Sequence, residues 1–197
     1  MHVFSVYEYI EGMTLLDYIE SSKFQIESFY EIMLQIFGAL AIAQVPDKIY
    51  YNHNDLHSSN VMIQLYPKND KYEYTYNFPY EKTINKFKSN IRAVIIDQGS
   101  ASLLTYNKEE KKYDAVYGWY KSIITDTLKN LNTPYADIFR IITFSYYIMN
   151  RTYTENSPIV RDIKKHIDTL FSSERYPTIC SDFVLREPKI WFDYYVR

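Results

Sequence analysis

The sequence predicts a mainly α-helical fold with one small β-hairpin, and three observations predict it. Apolar residues recur at three- and four-residue steps from Phe24 to Gln44, through Ile26, Phe29, Met33, Ile36, Phe37, Leu40 and Ala43. That is the spacing of a buried helical face. The same period returns at 133–149 (Ile138, Ile141, Ile142, Tyr146, Met149) and at 158–171 (Ile159, Ile163, Ile167, Leu170). Two runs, VMIQLY (61–66) and IRAVIID (91–97), instead have the length and β-branched content of paired strands. With 197 residues, 47% of them hydrophobic, the chain suits a single domain spanning 1–197.

Taken in order, VFSVYEYI (3–10) reads as a buried strand that runs out into a polar EGMT turn. Thr14 followed by Asp17 has the spacing of a helix N-cap, so a short helix is expected over TLLDYIE. Pro46 ends the long helix of 24–44, and Pro134 suits the start of the next one. Between the two hairpin strands, residues 67–90 are polar and rich in Tyr and Asn, which reads as a long surface insertion. Residues 100–133 have mixed periodicity and receive no assignment.

A net charge of −2 gives no electrostatic reason to expect nucleic acid or an anionic membrane as partner. The single cysteine, Cys180, excludes an internal disulfide framework and fits a reducing compartment. No basic leader with an apolar core opens the chain, and no apolar run approaches about 18 residues. The expectation is a soluble intracellular protein. The lysines at 108–112 and Lys164–Lys165 read as solvated surface.

Chemistry concentrates in HNDLHSSN (53–60) and VIIDQGSA (94–101). Asp55 and Asn60 are five residues apart, close enough for one tight loop to aim both at a common centre. Asp97 ends the strand expected to pair with the one after Asn60, which brings it alongside. Two carboxylates and an amide oxygen are hard ligands of the kind Mg²⁺ accepts. Gly99 permits a sharp turn after Asp97. A metal that also held phosphate oxygens would leave Asp55 to orient a hydroxyl nucleophile, the arrangement phosphoryl transfer requires.

These residues carry a resemblance. HNDLHSSN resembles the catalytic loop of the protein-kinase-like superfamily, H-x-D-[LI]-[KH]-x-x-N, and VIIDQGSA resembles its metal-binding D-F-G motif. FSVYEYIEGMTLLDYI is similar to that family's hinge and following helix, and YADIFRI to the Asp-bearing helix that buttresses the loop. The order agrees across roughly 3–149, and D-L-H with D-I-F-R look most like haspin-type Ser/Thr kinases. The resemblance implies ATP and Mg²⁺ as cofactors and a protein hydroxyl as substrate. It makes Asp55 the catalytic aspartate and His57 a phosphate contact. Asn60 and Asp97 become the Mg²⁺ ligands that also bind the nucleotide phosphates. It places His53 beneath the loop, held by Asp137. Tyr7 becomes the gatekeeper, with the backbone of Glu8 and Ile10 on adenine.

Several positions depart from the family pattern. Asn54 stands where many members have Arg, Gln98 replaces the Phe of D-F-G, and no A-P-E triplet comes after it. The hinge begins almost at Met1, so the chain is expected to be the large lobe without the β-rich small lobe. A separate small-lobe or scaffold polypeptide would then be its partner. A small-molecule kinase of aminoglycoside or choline type is the alternative, as is a pseudokinase acting as a binding module. A contact between Asp137 and His53 would favour the protein-kinase branch.

Overall fold

The first helix begins where its cap dictates. Thr14 Oγ1 accepts the Asp17 N–H at 3.0 Å, and Asp17 Oδ2 accepts the Thr14 N–H at 3.4 Å. This reciprocal capping box satisfies two otherwise orphaned donors and starts α1 (Leu15–Glu20) at the predicted position. The computed structural model describes residues 8–44, 49–67, 69–77, 84–110, 112–118, 136–153, 157–162 and 165. The long amphipathic period becomes α2 (Ile26–Ile42), and the third becomes α3 (Ala136–Thr152). Residues 158–162 are helical as expected. The strand expected at 3–10 lies outside the described residues up to position 7, and 8–10 are irregular.

Among the described residues, eight strands accompany these helices. The fold is therefore mixed α and β, which corrects the mainly α class that the sequence predicts. The expected hairpin is present: β3 (Val61–Leu65) pairs antiparallel with β6 (Ile91–Ile95), Val61 opposite Ile95 and Leu65 opposite Ile91. β1 (Met13–Thr14) adds to its outer edge, Met13 opposite Ile63. A second sheet runs β2 (Tyr50–Asn52), β7 (Ser102–Asn107), β8 (Lys112–Gly118), and it occupies much of the unassigned region. The polar insertion is itself a hairpin of β4 (Tyr72–Asn77) and β5 (Ile84–Ser89).

That hairpin accounts for the difference in class. On β4, Tyr74 and Tyr76 turn inward while Glu73, Thr75 and Asn77 turn out. The pattern is a strand alternation whose buried half consists of tyrosines. The ring of Phe87 stacks on Tyr74 and Tyr76 at 5.2 and 5.8 Å. The core is otherwise built from Leu15, Tyr18 and Ile19 of α1, Ile32, Met33, Ile36 and Phe37 of α2, Val61 and Ile63 of β3, and Ile138, Ile141 and Met149 of α3. No helix among the described residues is long and apolar enough to cross a membrane.

Gly38 lies in mid-α2 because the Tyr76 ring occupies the space a side chain would need. A Cβ there would come 2.3 Å from Tyr76 Cε1. Two effects of Gly38→Ala compete: about 1 kcal/mol gained in helix propensity against roughly 1–3 kcal/mol lost to overpacking. The substitution is expected to lower the thermal midpoint in the wild-type chain and to raise it in a Tyr76→Ala background. A double-mutant cycle of unfolding free energies reads that change of sign.

Candidate functional site

The loop after β2 is shaped by a carboxylate it does not itself contain. Asp137, in the first turn of α3 and fully buried, accepts the His53 N–H on Oδ2 at 2.5 Å and the Asn54 N–H on Oδ1 at 3.0 Å. Arg140, one turn along α3, reaches Oδ1 at 3.4 Å. Burial pushes the Asp137 carboxyl above the ordinary carboxylate range, while Arg140 and the two N–H groups pull the other way. The expected link between Asp137 and His53 thus exists, and it runs through the His53 main-chain N–H. The His53 imidazole turns beneath the loop, its Nε2 2.9 Å from Ile96 O. Its Nδ1 is buried without a hydrogen-bond partner among the described residues.

Two peptide N–H groups converging on one carboxylate require a sharp bend, and Asn54 takes it at φ 68°. Asparagine tolerates this left-handed conformation better than most residues. Its side chain then crosses to the second loop, Nδ2 donating to Ser100 O at 2.7 Å and Ser102 Oγ at 2.9 Å. Beyond the bend, Leu56 and Ser58 point into the protein, Ser58 Oγ 3.0 Å from Ser145 Oγ on α3. Asp55 and His57 point out. The His57 Nε2 lies 3.8 Å from Asp55 Oδ2, and the His57 ring lies 5.9 Å from that of Phe144, which is half exposed. At that length and exposure the contact adds little stability. The imidazole nonetheless lies beside the carboxylate.

Asn60 ties loop to ribbon. Its Nδ2 donates to Asp55 O at 2.9 Å, and its own carbonyl accepts the Ile96 N–H at 3.0 Å. The amide nitrogen is committed to that carbonyl, so Oδ1 is the atom of this buried side chain that could act as a ligand. The register sets Ile96 across from Asn60, so Asp97 comes immediately after at the same end of the ribbon. Asp55, Asn60 and Asp97 are thus gathered at one end of β3–β6. Asp97 takes a left-handed conformation at φ 56°, and the turn expected after it follows as a single 3-10 turn over Gln98–Ser100. Gly99 matters for closeness: a Cβ there would meet Asp97 Oδ1 at 3.3 Å. Asp97 is exposed. Among the described residues no group of three His, Cys, Asp or Glu side chains is gathered to hold a metal. Any cation here would rely on the Asn60 amide oxygen.

Glu8 and Ile10 lie on the irregular segment leading to β1, and so toward the β3 side of the same sheet. Gly12 lets that segment lie against β3, since a Cβ would fall 2.3 Å from Ile63 O. Tyr7 lies outside the described residues. Sequence reasoning missed an apolar pair on the outer face of the ribbon. Met62 and Val94 are cross-strand partners, half-buried, on the face opposite the buried Val61 and Ile63. Strand alternation alone would have found them.

Asp137→Asn is expected to cost about 1–3 kcal/mol, because one of two buried N–H groups loses its acceptor. Asp137→Ala should cost more. The raised carboxyl gives a sign as well. The folded state holds this proton more tightly than the unfolded chain, where Asp titrates near ~3.9. The stability it contributes is complete below that value and is lost as pH rises through the folded value. Relative to Asp137→Asn, the wild type should therefore lose stability on going from acid to neutral pH, as urea unfolding at a series of pH values would show.

No protein-family model, curated protein or solved structure matches the chain.

Proposed function

We propose that this chain is a phosphotransferase that uses ATP and Mg²⁺ to phosphorylate a serine or threonine hydroxyl of a protein substrate. The observation that carries the proposal is the β3–β6 register. It puts Ile96 across from Asn60, so that Asp97 follows at the same end of the ribbon, while the Asn60 side chain donates to the Asp55 carbonyl. A hard cation suits this donor set: an amide oxygen whose nitrogen is tethered to the Asp55 carbonyl, and an exposed carboxylate. Asn60 and Asp97 would hold it, and when bound it would neutralise charge on the transferring phosphate.

The protein's own groups do the rest. Asp55, outward-facing and 57% exposed, accepts a hydrogen bond from the acceptor hydroxyl and aligns it for in-line attack. As the oxygen–phosphorus bond forms and the bond to the leaving ADP oxygen breaks, the hydroxyl proton passes to Asp55 and then to solvent. His57, 3.8 Å from Asp55, offers a donor to phosphate oxygens near the nucleophile. Met62 and Val94 offer an apolar bed for a purine between the Glu8–Ile10 segment and the ribbon's loaded end. The hold of Asp137 on His53 and Asn54 supports the protein-hydroxyl acceptor over a small-molecule one.

With ATP, Mg²⁺ and a mixture of Ser- and Thr-containing proteins, Asp55→Ala should transfer phosphate about 10²–10⁴-fold more slowly than wild type. Asp97→Asn should raise the Mg²⁺ concentration needed for half-maximal rate. Equal rates for wild type and Asp55→Ala would remove Asp55 from the chemistry and refute the assignment.

A further inference from the structure

Helix α2 reaches both halves of the site through two buried glutamines. Gln44, just past its C-terminal end, donates from Nε2 to Leu40 O at 2.9 Å and to Tyr51 O at 3.1 Å. Its Oε1 accepts the Tyr51 N–H at 3.0 Å. Tyr51 sits in β2, whose other edge is paired with β7 through Tyr50–Leu104 and Asn52–Ser102. Alternation along an antiparallel strand aims the Tyr51 groups away from β7, and Gln44 takes the place of a missing strand there.

Gln35 repeats the arrangement on β6. Its Nε2 donates to Ile91 O at 2.9 Å and its Oε1 accepts the Ala93 N–H at 2.8 Å. The other edge of β6 belongs to β3. So the strand that enters the loop at His53 and the strand that delivers Asp97 are each gripped between a neighbouring strand and a glutamine of one helix. An uncharged amide supplies both a donor and an acceptor; a carboxylate supplies acceptors alone.

We propose that Gln44 and Gln35 are positioning residues of this site: they set the approach of β2 and β6, and through them the placement of Asp55, Asn60 and Asp97. The kinetic consequence rests on the phosphotransferase reading; the geometric consequence does not.

Gln→Glu substitution makes the grip titratable. A protonated carboxyl keeps one donor and one acceptor, whereas the ionised form loses the donor and faces a carbonyl oxygen with negative charge. Gln44→Glu and Gln35→Glu would be compared with Gln25→Glu, whose side chain is exposed at the start of α2. In the isotope-labelled full chain, the amide signals of Asn54, Asp55 and Asn60 should track the introduced carboxyl's titration in Gln44→Glu. Those of Ile96 and Asp97 should do so in Gln35→Glu, and none of them in Gln25→Glu.

In the same Gln44→Glu protein, kcat should fall at least about tenfold as the carboxyl ionises and recover on acidification. KM for ATP should change less than about twofold. Signal changes confined to Tyr51, Ile91 and Ala93, or a kcat deficit independent of pH, would overturn the proposal. If no protein transfers phosphate yet the loop signals still track the titration, positioning stands and the phosphotransferase reading falls. If ionisation unfolds a variant, refolding on acidification with the loop signals restored supports the proposal, and unfolding that acid does not reverse counts against it.

Discussion

One buried carboxylate organises this molecule. A carboxylate removed from water costs several kcal/mol unless donors surround it. Asp137 finds them in the N–H groups of two consecutive residues, His53 and Asn54, with Arg140 nearby. Meeting both N–H groups bends the chain at Asn54 and sets the direction of the next residues. His53 goes under the loop, Asp55 goes out, and Leu56 goes down into the core at 0% exposure. Ser58, meeting Ser145 two turns further along α3, seats the far end of the loop on the same helix. The loop lies along α3 like a strap fastened at both ends.

The two non-glycine residues with left-handed backbone among those described are Asn54 and Asp97, one in each loop of the site. Such conformations cost of order 1 kcal/mol or more, and they persist where surroundings over-determine them. Here the surroundings include each other's loops, because the Asn54 amide is bound to Ser100 and Ser102, just past Asp97. Asn52 lies between the partners, its side-chain nitrogen 2.6 Å from Asn54 Oδ1 in one amide orientation and 2.7 Å from Asp137 Oδ2 in the other. A polar network this closely knit holds outward-facing groups in place without burying them.

What the sequence made legible was whatever rests on apolar periodicity or local capping. The α2 stripe, the capping box at Thr14 and the β-branched strands β3 and β6 all stand where expected. What it hid has two physical sources. Tyrosine-rich strands such as β4 bury their aromatic rings while reading as polar, so alternation went unseen. β2 was hidden by its length, three residues. Long-range polar contacts leave almost no local signal. Nothing near Asn54 points to Ser102, and the Asp137 link to this loop was expected only through resemblance. Gln35 left no trace either: it falls on the helix face opposite the stripe of Phe29, Met33, Ile36, Phe37 and Leu40, beside Ser28 and Glu31, where a polar residue is expected. Placing Asp55, Asn60 and Asp97 at one ribbon end needed only the pairing of two strands.

The extra hairpin between β3 and β6 looks expendable, a detour that returns the chain to where it left. Its seating says otherwise. Tyr76 fills the notch left by Gly38, the Tyr74 hydroxyl donates to Ile91 O at 2.8 Å, and Ser89 bonds both Glu31 of α2 and the Ile91 N–H. Ile91 is the first residue of the strand that ends beside Asp97. Excising the detour would open a ring-sized hollow along α2 and strip the root of β6 of two partners. The tip carrying the carboxylate would then be cantilevered from a loosened base, so this ornament and the chemistry at the opposite end are mechanically one piece.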